Sequence, residues 1–129
     1  MQALLVLGQV VLGAYFVMNG VNHFRHLAGT TGYAQSRGLA VPKALVAASG
    51  ATLVLAGAGV LLGIYVRISL WLLVAFLVLS AFLIHHFWTD QDPMQKMGEQ
   101  VNFMKNLALA AALLVLTALA GSWPWSLFF

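Results

Sequence analysis

Four long apolar runs joined by short polar segments limit what this chain can become. They extend from Ala3 to Val21, Ala44 to Val66, Ile68 to Ile84, and Leu107 to Ala120, the last with a polar-flanked start near Phe103. Crossing a hydrocarbon core takes roughly 20 helical residues at about 1.5 Å each. The middle two runs meet that length, and the last meets it if its helix begins around Val101. Only 7% of the residues are charged, against about 25% in a soluble domain, so a water-soluble core is excluded. The runs are continuous rather than alternating, which excludes a β-barrel. The expected fold is an all-α membrane protein with four transmembrane helices in an antiparallel bundle. The spans fall near 3–24, 43–64, 67–88 and 93–121 of a single transmembrane domain covering 1–129.

The first run is read as a span rather than a secretory signal. It lacks a basic leader and has no small-residue cleavage site before Asn22. The absence of cysteine excludes thiol relays, disulfides and thiolate metal sites. Charge placement is more informative than the net charge of +3. Arg25, Arg37 and Lys43 lie between the first and second spans, Lys96 and Lys105 between the third and fourth, and Arg67 alone on the opposite side. That bias predicts an integral protein of the plasma (inner) membrane with both basic loops cytoplasmic and both termini outside. The lipid bilayer is then the first partner, a homo-oligomer or other membrane subunits come next, and nothing calls for nucleic acid.

The few polar residues fall into two groups. On the first span, Tyr15, Asn19, Asn22, His23 and His26 follow helical steps along one face. Asn19 lies a full turn inside the run, where an amide facing lipid has no hydrogen-bond partner, so it should face the bundle. His26 lies beyond Arg25 and reads equally as wet and interfacial. The second group runs from Leu83 through His85, His86 and Trp88 to Asn102, Lys105 and Asn106. Adjacent residues on a helix point about 100° apart, so one of His85 and His86 faces the bundle and the other the headgroups or a loop. Lysine near a span end usually snorkels outward, which makes Asn106 a stronger candidate than Lys105.

The connections carry their own signals. Thr30 or Thr31 is a candidate cap for a short interfacial helix through Arg37, with Gly38 as its C′ residue and Pro42 in the next first turn. Tyr33 would anchor it, and Gln35 and Arg37 would close over whatever His23 faces. Asp92 followed by Pro93, with Gln95 in the capping-box position, marks the start of the fourth helix. Gly13 and Gly20 on the first span, and Gly59 and Gly63 on the second, mark close helix contacts. The second pair, a GxxxG, serves either the bundle or a homo-oligomer. Tyr65, Trp71, Trp123 and Trp125 at one surface, and Tyr33 and Trp88 at the other, form a double aromatic belt. Aligning His23-Phe24 with His86-Phe87 and Lys43 with Lys105 suggests two pseudo-symmetric helical hairpins. It nominates His86 as the inward histidine.

Taken together, Gly13, Phe16 and Gly20 before Asn22-His23-Phe24, Gly38-Leu39 before Pro42, the glycine-rich second span through Gly63 to Arg67, His86-Phe87-Trp88, and Phe103-Met104-Lys105-Asn106-Leu107-Ala108 resemble the DoxX family of small membrane proteins. The resemblance implies a four-helix integral membrane protein. It also implies, for some members, a link to membrane oxidoreductase systems, including quinone-linked thiosulfate oxidation, or to oxidative-stress complexes with soluble partners. Members often carry a glutamate in the second helix before its glycine pair. This chain has Ser49-Gly50-Ala51-Thr52-Leu53 there, and its spans read as free of acids.

These features support a ligand site formed by Asn19, Asn22, His23, His86, Trp88, Lys105 and Asn106 at one membrane face. A quinone or similar lipid-soluble molecule suits it. The amides donate to carbonyls, the histidines titrate in a useful range, and Phe87 or Trp88 stacks on the ring. No flavin or nicotinamide motif is present, so electrons would have to come from a partner, and the chain alone is not expected to be an oxidoreductase. The alternative is a structural or assembly subunit of a larger membrane complex with no chemistry of its own. Haem or metal ranks below both, because no carboxylate is expected beside the histidines.

Overall fold

The computed structural model describes residues 1–126. It consists of α1 (Gln2–Arg25), α2 (Leu27–Ser36), α3 (Pro42–Leu62), α4 (Val66–Leu83) and α5 (Pro93–Thr117), with short 3-10 turns at Phe87–Thr89 and Ala120–Ser122. The long apolar helices α1, α3, α4 and α5 are the four membrane-spanning elements. α1 packs along α3, α5 along α4, and α3 against α4 between them. The outer pair, α1 and α5, lacks comparable packing among the described residues.

The α1–α3 contact depends on glycine. A Cβ added at Gly20 would lie 2.6 Å from the Gly50 carbonyl oxygen, and one at Gly13 2.6 Å from Leu61 Cβ. In lipid the hydrophobic drive between helices is absent, so such close contact holds them together. The GxxxG pair is used inside the molecule. Gly59 abuts Ser69 of α4, and Gly63 meets the backbone of Trp125 and Ser126. Phe16, Leu53, Val60, Leu70, Leu73 and Leu113 form the centre of the core, each almost fully buried.

At the end holding the α3–α4 turn, polar side chains go to backbone. A helix end leaves carbonyls without intrahelical partners, and in a bilayer each costs several kcal/mol if unmet. Gly59 O accepts from Ile64 N (2.9 Å). Trp123 Nε1 donates to Val60 O (3.1 Å), while Gln9 Nε2 (3.0 Å) and Trp125 Nε1 (3.3 Å) both donate to Leu61 O. Ser126 Oγ donates to Gly63 O (3.2 Å). The two tryptophans read as belt residues are therefore also caps on α3.

The opposite end holds both inter-span connections. α2 begins at Leu27, directly after α1, not at Thr30 or Thr31. Its C-terminus is a Schellman motif, with Leu39 N donating to Ala34 O (3.1 Å) and Gly38 N to Gln35 O (3.0 Å). Gly38 takes the left-handed conformation this requires, at φ 86°. α5 starts as expected, Asp92 accepting from Gln95 N at 2.9 Å. α4 departs from expectation. The helix itself ends at Leu83, while the apolar span expected to about 88 continues through the 3-10 turn to Thr89, and α5 ends at Thr117. His85 and His86 therefore sit in a non-helical connection, and the helical spacing used to separate them does not apply.

Candidate functional site

Arg37 ties the two connections together. Its guanidinium is buried, donating from Nε to Ile84 O (2.6 Å), from Nη1 to Asp90 Oδ1 (2.6 Å) and from Nη2 to Asp90 Oδ2 (3.1 Å). The forked pairing with Asp90 matches guanidinium to carboxylate, and the Nε bond satisfies a carbonyl at the end of α4. The same pairing holds the Asp90 carboxyl below its ordinary value of 3.8. His86 completes the latch. Its Nε2 donates to Arg37 O (2.9 Å), and Nδ1 lies 3.3 Å from Arg37 Nη2 and 2.7 Å from Thr89 Oγ1.

Beneath this latch, α2 covers a cavity of about 360 Å³, within the roughly 300–1,000 Å³ range of small-molecule sites. Phe16, Phe76, Leu77 and Leu83 form much of its apolar wall, while Asn19, His23, His85, Lys105 and Asn106 bring polar groups. α1 contributes Asn19 and His23, one turn apart, and α5 contributes Lys105 and Asn106. The cavity is thus walled by α1, α3, α4 and α5 beneath α2, and its polar groups come mainly from α1, α5 and the α4–α5 connection. Thr30 and Tyr33 reach it from α2 and Ser80 from α4.

The histidines have assignable roles. His23 Nδ1 donates to Asn19 O (2.8 Å), since a carbonyl can only accept, which leaves Nε2 as its exchangeable nitrogen. His85 Nδ1 is hydrogen-bonded to Glu99 Oε2 at 2.6 Å. Asn106 is 7% exposed, and its amide, which has no protein partner among the described residues, opens to the cavity.

The expected site residues thus divide. Asn19, His23, Lys105 and Asn106 come together around one cavity. Of the histidine pair, the one in the wall is His85, while His86 is turned to Arg37. Asn22 is solvent- or lipid-exposed on α1. Trp88 belongs to an aromatic cluster that fastens the Phe87–Thr89 turn to α4 and α5, with ring centroids 5.6 Å from Phe103, 5.4 Å from Phe87 and 6.2 Å from Phe82. Phe87 and Trp88 are therefore not cavity stacking groups. The aromatic ring facing His23 is Phe76, at 6.1 Å.

Two buried polar residues escaped sequence reading, one at the site and one at the closed end. Glu99 is a buried acid within α5, so the spans are not free of carboxylates, and one does sit beside a histidine. Its signal was its position seven residues after Asp92, on the same helix face as Asn102 and Asn106. Gln9 is the second, a lone amide in the first apolar run. Among the described residues no cluster of three or more His, Cys, Asp or Glu is placed to hold a metal ion.

Four apolar spans around a polar-lined cavity define a four-helix integral membrane protein. The sequence model of the DoxX family matches residues 4–86, nearly two-thirds of the chain, and the chain belongs to the DoxX family. The match ends at His86, so Glu99, Lys105 and Asn106 lie beyond it. No curated protein and no solved structure matches the chain.

Proposed function

We propose that this DoxX protein binds a quinone or similar lipid-soluble carbonyl compound in the cavity beneath α2, within a redox-linked membrane assembly. The observation that carries this reading is the Asn106 amide, which bonds no protein group among the described residues and opens into an apolar cavity beside Lys105, Asn19 and His23. A ligand carbonyl would give the amide an acceptor, a bond worth about 0.5–1.5 kcal/mol net. The apolar wall suits a ring or isoprenoid tail. With no cysteine and no flavin or nicotinamide motif, electrons would pass to and from a partner. The excess of lysine and arginine at the cavity end supports a cytoplasmic orientation for it.

The alternative, an assembly subunit without chemistry, loses one of its supports, because Gly59 and Gly63 are occupied within the chain. Native mass spectrometry after gentle solubilisation separates the two. A stoichiometric small-molecule adduct of quinone mass is the expected result. Subunits co-purifying with a chain that carries no ligand would favour the alternative.

A further inference from the structure

The chain has three acidic residues, and none of them lines the cavity. Asp90 pairs with Arg37, Asp92 caps α5 and Glu99 is bonded to His85. Lys105 does line the cavity, and it makes no ion pair among the described residues. It is exposed on α5 as well as part of the wall, which places it at the opening. Asn106, the next residue, is 7% exposed and opens into the same space.

A lysine at a span end that only snorkels sends its ammonium to the headgroups. Lys105 instead shares its wall with Phe76, Leu77 and Leu83 of α4, so its charge has apolar surface beside it. An unpaired cation next to such a surface attracts an anion more strongly than it would in water.

Resting on the ligand reading above, we infer that the bound headgroup carries a negative charge, as in a quinone with an ionised hydroxyl beside its carbonyl, and that Lys105 selects it. The compact ammonium supplies the counter-charge, and the Asn106 and Asn19 amides remain for the carbonyl oxygen. A neutral quinone would fill the same apolar space and meet the amides, but it would leave the ammonium uncompensated. The other charged groups nearby are already committed. Arg37, at the end of α2, is held by Asp90, and Glu99 is bonded to His85 Nδ1 at 2.6 Å. His23 on α1 turns its Nδ1 to Asn19 O. No carboxylate in the wall competes with the ligand for Lys105.

A matched pair of probes tests this. One is an alkyl hydroxynaphthoquinone with its hydroxyl next to a carbonyl, ionised at neutral pH because the charge is shared with the opposite carbonyl. The other is its methyl ether, which has the same ring and tail and no charge. Equilibrium dialysis against the full chain in an uncharged detergent, corrected for empty micelles, gives both affinities. Wild-type protein should bind the ionised probe about tenfold or more tightly than the ether. Lys105→Met should bind the two alike while keeping its affinity for the ether, and Lys105→Arg should retain the preference. Wild-type protein that binds both probes alike, or favours the ether, overturns the inference and leaves the ligand reading intact. A preference that survives Lys105→Met also overturns it. If Lys105→Met does not fold, the wild-type affinities decide. If neither probe binds, the ligand reading falls and this inference falls with it.

Discussion

The two ends of this bundle use polar side chains in opposite ways. At the end with the α3–α4 turn, Gln9, Trp123, Trp125 and Ser126 all donate to carbonyls of α3 or its turn. Their work is to close a helix end where water is scarce. At the other end, Arg37 and His86 perform a comparable fastening, but Asn19, Lys105 and Asn106 donate from their side chains to no protein group among the described residues, and all face one cavity. Polar residues in a chain this apolar are informative only after the backbone's needs are met. What remains marks the site.

The comparison makes separable predictions. The largest effect should come from Gly20→Leu, which disrupts the α1–α3 contact supporting both ends. Backbone sits within 2.6 Å of where its Cβ would be, so a loss of about 3 kcal/mol or more is expected in detergent-denaturation titrations. Asn106→Leu should leave that titration nearly unchanged and weaken binding of a short-chain quinone about tenfold to a hundredfold, read by quenching of tryptophan fluorescence. At the closed end the effects should reverse. Trp123→Phe orphans Val60 O and should cost about 1–3 kcal/mol of stability with quinone affinity unchanged. Trp125→Phe should cost less, because Gln9 still serves Leu61 O.

The pH response of the latch follows from Asp90. Its carboxyl is held down by Arg37, so its contribution to stability is complete above the unfolded value of 3.8 and is lost as pH falls through the lower folded value. Proteolysis within 27–38 should therefore be constant from neutrality down to about that pH, and rise only in stronger acid. The smallest effect belongs to Gln9→Leu. It removes one bond to Leu61 O but also a buried Oε1 that has no partner, so stability should move by roughly 0.5 kcal/mol or less.

Much of the fold was legible because apolar run length translates directly into membrane spans. Asp92-Pro93 and Gly38 were readable because capping chemistry is local. The site was legible in part. Asn19 and Asn106 were found by asking which polar residues have no escape from the bundle, and His23 and Lys105 by the helix faces they share with other polar residues. The apparent repeat of the two hairpins nominated His86, but His85 is the one in the cavity wall, because α4 stops at Leu83 and the connection turns His86 to Arg37. Glu99 was passed over because the first turns of α5 are amphipathic, and a lone acid there reads as a solvated face until His85 is seen against it. Trp88 and Asn22 show the converse. Both lie close to the site in sequence, and packing directs one into an aromatic cluster and the other outward.

Photocrosslinking with a diazirine-bearing quinone tests the central claim most directly. In native membranes, with labelled residues located by peptide mass spectrometry, the label should fall on α1 between Tyr15 and His23 and on α5 around Lys105 and Asn106, and excess unlabelled quinone should suppress it. Label concentrated at Trp123 and Trp125, or spread over lipid-facing residues and insensitive to competitor, would contradict the account.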